Sequence, residues 1–250
     1  MSDILGGERW RVLTGDCLDI LRGLPDGSID AVVTDPPYGV NVMMHHGRTG
    51  ERIKERYQTI ANDHSQEAGE AVSEWAKESG IPTLFFAAPM KQWTGDWDEW
   101  LVWDKGPAVG GGGDYLRTHK RTWELIQVRG FPLLLDGRNE AVYTIHVSPN
   151  NRVHTAEKPV GLMAQLLKQF VLPGSLILDP FCGSGTTGVA AMRLGMRFLG
   201  CELDEQYADI ARARIAAAAA QPRLDFDAPG QAPNPKYTTG ELFDGGTTTP

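Results

Sequence analysis

The sequence predicts an α/β fold with a mostly parallel sheet and helices on both faces, and three observations predict it. Apolar runs at 29–34, 81–88 and 175–179, the first rich in β-branched residues, suit strands buried on both sides, as in parallel sheets. Between the first two, Ala68, Val72, Trp75 and Ala76 recur at helical spacing within 65–79, with Gly80 as a stop. After the third, a glycine-rich turn at 183–188 leads into a helix through Val189-Ala190-Ala191-Met192. Ligands of open α/β sheets bind beyond the carboxyl ends of the strands, so the residues just past those ends are where chemistry is expected.

Taken in order, Val12-Leu13-Thr14 is a first strand that runs into Gly15-Asp16-Cys17 and a short helix. The strand from Ile29 to Thr34 must leave the ladder at Pro36 and Pro37, which have no amide hydrogen to give it. Asp35 is thereby presented at the sheet edge. The Pro-Pro pair fixes φ twice, so its carbonyls project from a stiff turn beside the ring of Tyr38, which can stack on a flat base. A carboxylate and a carbonyl can together accept both hydrogens of an exocyclic NH2. Taken alone, Asp35-Pro36-Pro37 also reads as a plain strand-ending turn.

A second motif, Ser175-Leu176-Ile177-Leu178-Asp179-Pro180-Phe181-Cys182-Gly183-Ser184-Gly185-Thr186-Thr187-Gly188, pairs an apolar strand with glycines that let a cofactor approach the backbone. Gly183 to Gly188 also fits the dinucleotide fingerprint, with Glu202 near the position of a ribose-binding acid, so an NAD-dependent oxidoreductase competes. Two details weigh against it. Asp179-Pro180-Phe181 separates strand from glycines, and Asp35 to Tyr38 has no job in hydride transfer.

Asp-Pro-Pro-Tyr resembles the motif of amino-methylating DNA methyltransferases, which make N6-methyladenine or N4-methylcytosine from S-adenosylmethionine. The resemblance covers roughly residues 10 to 215, by matching order and strand context. It implies a Rossmann-like S-adenosylmethionine-dependent methyltransferase fold. With the Asp35 motif first and the Lys158-Pro159 and Gly183 to Gly185 segments last, it is similar to the circularly permuted β group. The chain would then begin near what other groups use as their third strand, with the first two supplied by the C-terminal third.

Carried over residue by residue, the resemblance makes Asp35, Pro36, Pro37 and Tyr38 catalytic. Asp16, followed by Cys17, would hold the cofactor adenine and Glu202 the ribose hydroxyls, while Asp179, Phe181, Gly183, Ser184, Gly185, Thr186 and Thr187 would line the cofactor turn. His154-Thr155-Ala156-Glu157-Lys158-Pro159 resembles the family's His-Pro-Thr-x-Lys-Pro segment, with the first proline missing, and puts Lys158 at the methionine end. Asp-Pro-Pro-Tyr is more typical of adenine enzymes than of cytosine ones, so the implied reaction is methylation of adenine N6 in a flipped base, with cytosine N4 as the alternative. A cofactor-binding regulatory module that no longer reacts is the non-enzymatic alternative.

Composition bounds the rest. At 250 residues and 41% hydrophobic, the chain can bury a full core, and no apolar stretch is long enough for a bilayer. We read a methyltransferase domain at 1–220 and a disordered Pro, Gly and Thr-rich tail at 221–250. The lack of a secretion signal and three unclustered cysteines point to the cytoplasm, and no metal site is expected. The thiols read as small buried core groups, because the Pro-Cys pair of cytosine-C5 enzymes is missing.

The net charge of −8 requires any DNA contact to be local. One candidate follows Tyr38 within 41–60 and carries His45, Arg48 and Arg52. The other, within 105–153, carries Arg117, Lys120 and Arg121, with Lys105 and Arg129 flanking them. Trp93, Trp97, Trp100 and Trp103 read as packing residues, and Trp103-Asp104-Lys105 with Trp123-Glu124 as structural segments also seen in the family. Double-stranded DNA is the implied partner. A homodimer and a companion restriction endonuclease are left open.

Overall fold

The computed structural model describes residues 4–39, 65–89, 91–106, 122–131, 141–145 and 157–221. Eight strands form one sheet: β1 (Trp10–Thr14), β2 (Ala31–Thr34), β3 (Thr83–Ala87), β4 (Glu99–Asp104), β5 (Trp123–Arg129), β6 (Val142–Thr144), β7 (Leu176–Asp179) and β8 (Arg197–Glu202). Five helices accompany them: α1 (Cys17–Arg22), α2 (Glu67–Glu78), α3 (Val160–Phe170), α4 (Thr186–Arg193) and α5 (Glu205–Ala219). The spatial order is β1-β8-β7-β2-β3-β5-β4-β6. The C-terminal strands β7 and β8 thus insert between β1 and β2, and every pairing from β1 to β3 is parallel. This is the permuted order implied by the motifs, with the chain's first strand at the sheet edge.

Sequence explains most of these elements. In β2 and β7 every residue is buried, as expected of strands covered on both faces. Successive residues alternate between two cores. Val33, Leu84, Phe86 and Ile177 join the core under α3, α4 and α5, while Val32, Phe85, Ala87 and Leu178 join the core under α1 and α2. Asp16 caps α1 by accepting from Leu18 N at 2.8 Å, and Asp204 caps α5 through the amides of Gln206 and Tyr207. Gly80 ends α2 with φ +65°, as its sequence position predicts.

The antiparallel strand β5 is what assembles the site. It lies between β3 and β4, antiparallel to both, so its first residues stand beside the last residues of its neighbours: Leu125 opposite Ala87, Glu124 opposite Trp103. A residue that opens β5 therefore arrives at the carboxyl end of the parallel sheet. Within the candidate basic region, Trp123–Arg129 is a sheet strand. The candidate DNA contacts His45, Arg48, Arg52, Arg117, Lys120 and Arg121, and the tail beyond Gln221, lie outside the described residues.

Candidate active site

β2 and β7 are hydrogen-bonded neighbours, so the two motifs leave the sheet side by side. Asp179, at the end of β7, accepts from Thr34 Oγ1 at 2.6 Å, from Thr187 Oγ1 at 2.6 Å and from Phe181 N at 3.2 Å. One carboxylate thus joins β2, β7 and α4. Burial pushes its pKa up to about 6, against the pull of these donors.

The turn after β2 is held from below. Pro36 is buried against α2 where Gly69 leaves room: a Cβ there would lie 2.4 Å from the Trp93 ring and 3.1 Å from Pro36 Cβ. Trp93 is itself fixed, with its indole N–H on the Phe86 carbonyl at 2.7 Å. Its backbone exchanges two hydrogen bonds with the buried amide of Gln127. The carbonyl of Gly39 accepts from Lys91 Nζ at 2.6 Å. Asp35 therefore stands on a base that cannot shift without disturbing two elements.

Both Asp35 oxygens are engaged. Tyr38 Oη donates to Oδ1 at 2.5 Å, and Lys158 Nζ donates to Oδ2. The Lys158 ammonium is 8% exposed and lies near the rings of Tyr38, Phe86 and Trp103, at 5.8, 5.0 and 6.0 Å from their centroids. It also lies 3.2 Å from Glu124 Oε2. Glu124 Oε1 accepts from Lys105 Nζ, which in turn sits over Trp103. Two carboxylates and two ammoniums alternate: Asp35, Lys158, Glu124, Lys105.

Their charges stabilise one another in a largely dry setting. Burial pushes Asp35 above the usual carboxylate range, with the neighbouring Glu124 adding to the rise and Lys158 opposing it. Burial would raise Glu124 as well, but Lys158 and Lys105 together hold it below its ordinary value. Burial would lower Lys158, yet Asp35 and Glu124 outweigh it and keep the ammonium protonated.

The glycine turn divides its labour. Gly183, at φ +51°, has open space where a Cβ would stand. Gly185, at φ +81°, is pressed on α5, where a Cβ would lie 2.9 Å from Ala211 Cβ. Gly188 lets α4 pack so closely that a Cβ would lie 2.5 Å from Ile215 and 2.7 Å from Phe198. The first leaves its Cβ side open, and the other two make the close packing against α5 possible. Glu202, at the end of β8, accepts from Gly183 N at 2.8 Å and Asp204 N at 3.0 Å, and burial raises its pKa against these amides. Gly15 N donates to the Glu202 carbonyl at 2.9 Å, which brings the Asp16 turn beside the same strand end.

A second ion pair braces this turn. Arg214 on α5 donates to the Ser184 carbonyl at 2.6 Å and to Ser184 Oγ at 2.7 Å, and it pairs with Glu157. Glu157 also accepts from Thr186 Oγ1 at 3.5 Å. Adjacent residues of one segment thus grip the two motifs, Glu157 on the glycine turn and Lys158 on Asp35.

The model of a DNA methylase family matches residues 113–213. The chain is 30% identical over 219 residues to the putative methylase YubD of Escherichia coli K12, spanning 83% of this chain and 90% of that one. It belongs to the amino-methylating DNA methylase family. Two solved structures share its fold. The cytosine-N4-specific PvuII DNA methyltransferase matches with TM-score 0.58 at 17% identity, covering 88% of each chain. The complex of M1.HpyAVI with SAM matches with TM-score 0.57 at 18% identity, covering 82% of this chain and 98% of that one.

In the methylase, Asp35 to Tyr38 and Gly183 to Thr187 come together as the motifs predict, with Asp16 and Glu202 on adjoining strand ends. Three of the expected cofactor residues also make contacts within the protein. Lys158 reaches Asp35 and Glu124. The Asp179 carboxylate is turned inward onto hydroxyls. Cys17 is buried, its thiol pushed up to about 12 by burial. Cys182 and Cys201 are also buried and raised, the small core thiols the sequence suggests.

Of the tryptophans, Trp93 and Trp103 are core and Trp97 packs under Arg129, while Trp100 stays exposed. Lys105 and Arg129, which flank the predicted basic surface, face elsewhere: Lys105 pairs with Glu124, and Arg129 donates to the Ser73 carbonyl at 2.7 Å. Sequence reasoning missed Glu124 and Arg214 as site residues. The signal for Glu124 is the Trp123-Glu124 segment, which the sequence reads as structural, and Arg214 lies in an alanine-rich helix with no motif around it. Among the described residues, no helix is long and apolar enough to cross a membrane.

Proposed function

We propose that this methylase transfers a methyl group from S-adenosylmethionine to the exocyclic amine of a flipped base in double-stranded DNA, at adenine N6. The observation that carries the reading is the direct pairing of β2 with β7, with Asp35 at one strand exit and the glycine turn at the next. The residues fit the cofactor: Gly183 has an open face, the Glu202 carboxylate stands at its edge, and Asp16 adjoins on the neighbouring strand. In this reading Glu202 holds the ribose hydroxyls, Asp16 the adenine, and Phe181 to Thr187 the backbone-facing side. S-adenosylmethionine supplies an electrophilic methyl group on a sulfonium.

The protein's part is positioning and electrostatics. The amine is a poor nucleophile because its lone pair is conjugated with the ring. The Asp35 carboxylate and the Pro36 carbonyl take its two hydrogens and favour a pyramidal nitrogen. Tyr38, tethered to Asp35, offers its ring to the base. Asp35 then receives the proton that the methylated nitrogen sheds. Adenine is favoured by the Asp-Pro-Pro-Tyr motif.

Incubation with methyl-labelled S-adenosylmethionine and unmethylated DNA, digestion to nucleosides and mass identification tests this. Labelled N6-methyladenine that vanishes in Asp35→Ala, with cofactor affinity retained, is the expected result. N4-methylcytosine would reassign the base, and label unaffected by Asp35→Ala would remove Asp35 from the chemistry.

A further inference from the structure

Resting on that reading, the charge cluster raises a problem of access. An incoming amine must donate to Asp35, yet Oδ1 already accepts from Tyr38 and Oδ2 from Lys158. The Lys158 ammonium donates to Oδ2, so it competes with the amine for that carboxylate. The rings of Tyr38, Phe86 and Trp103 around it tolerate a cation but accept no ordinary hydrogen bond. Among the described residues, one further carboxylate stands within reach: Glu124, whose Oε2 is buried, 3.2 Å from Nζ, and makes no well-aligned hydrogen bond. Lys105 anchors the other oxygen of Glu124 and keeps that receiver in place.

We propose that Glu124 is a positioning residue for methyl transfer, drawing the Lys158 ammonium off Asp35 so that the carboxylate can take the hydrogens of the amine. The quartet of Asp35, Lys158, Glu124 and Lys105 is neutral, so the ammonium moves between carboxylates without changing the buried charge. Lys158 remains beside Asp35 to hold it ionised, and Glu124 limits how tightly it binds there. The two have opposite influences on one titration. Lys158 stabilises the Asp35 carboxylate, and Glu124, a like charge, destabilises it.

The charged and titratable groups facing Asp35 among the described residues are Lys158 from the segment before α3, Glu124 from β5, Tyr38 from its own turn and Asp179 from β7, with Lys105 acting through Glu124. The test is the acid limb of kcat/KM for DNA, which reports the free enzyme's essential carboxylate, in wild type, Glu124→Gln, Glu124→Asp and Lys158→Met.

Glu124→Gln should lower kcat/KM roughly tenfold, with S-adenosylmethionine affinity by calorimetry unchanged, and should move the limb to lower pH. Lys158→Met should move the limb to higher pH. Glu124→Asp should return the limb toward wild type. A Glu124→Gln limb at the wild-type pH, or a loss of activity that comes with lost cofactor binding, would overturn the positioning role. Asp35→Asn serves as the separate control: if it stays active, the proposed chemistry itself fails, whereas an inactive Asp35→Asn with an unmoved Glu124→Gln limb fails only the role of Glu124.

Discussion

The turns that leave β2 and β7 each begin with an aspartate, on hydrogen-bonded neighbouring strands, and the two aspartates meet different company. Asp179 is answered by two hydroxyls and an amide, all neutral, and holds three elements together. Asp35 is answered by a cation that it shares with a second carboxylate. Neutral donors satisfy a buried carboxylate but offset its desolvation only in part, and Asp179 rises to about 6. A partner charge can be moved, which neutral packing cannot, and that makes the first turn suited to chemistry and the second to architecture. The backbones differ likewise, prolines stiffening the first turn and glycines thinning the second.

The sharpest test of the contrast is Asp179→Asn. Asp179 binds a proton more tightly folded than unfolded, so it removes stability as pH rises from about 4, where the unfolded chain ionises, through about 6. Across that window the variant should gain on wild type in unfolding free energy by up to ~3 kcal/mol, measured by urea titration at each pH. A difference independent of pH would show that folding does not raise the Asp179 pKa.

Smaller is the effect of the second glycine role. Gly188→Ala forces a methyl into Ile215 and Phe198 and should cost about 2 kcal/mol, or roughly 5 °C in Tm. Gly183→Ala meets no neighbour and should cost only about 1 kcal/mol of backbone strain, with its main effect on cofactor affinity. Equal Tm losses would erase the distinction between packing and ligand-facing glycines. Least disruptive is Glu202→Ala, which should weaken S-adenosylmethionine about tenfold by calorimetry. Unchanged affinity would take Glu202 out of the cofactor site.

Much of this was legible before any coordinates. The strands β2, β3 and β7 announce themselves by apolar runs, α2 by its period and Gly80, and the permuted order by the sequence of motifs. Strand β5 was harder. Trp123-Glu124-Leu125-Ile126-Gln127-Val128-Arg129 mixes charge, amide and apolar groups because its ends and one buried amide serve neighbours far away in sequence. Gln127 is read as polar, yet it is fully buried and satisfied by Trp93.

The sequence by itself determined the class of fold, the family and the two turns where chemistry gathers, because prolines, glycines and buried-strand runs act locally and carry their meaning in a few adjacent residues. Only the tertiary structure decided which charges those turns meet. Lys158 approaches Asp35 across 123 residues of chain, and Glu124 joins them because β5 runs against its neighbours and brings its first residues to the carboxyl end of the sheet. Coulombic pairing depends on distance in space, and no spacing along the chain records it.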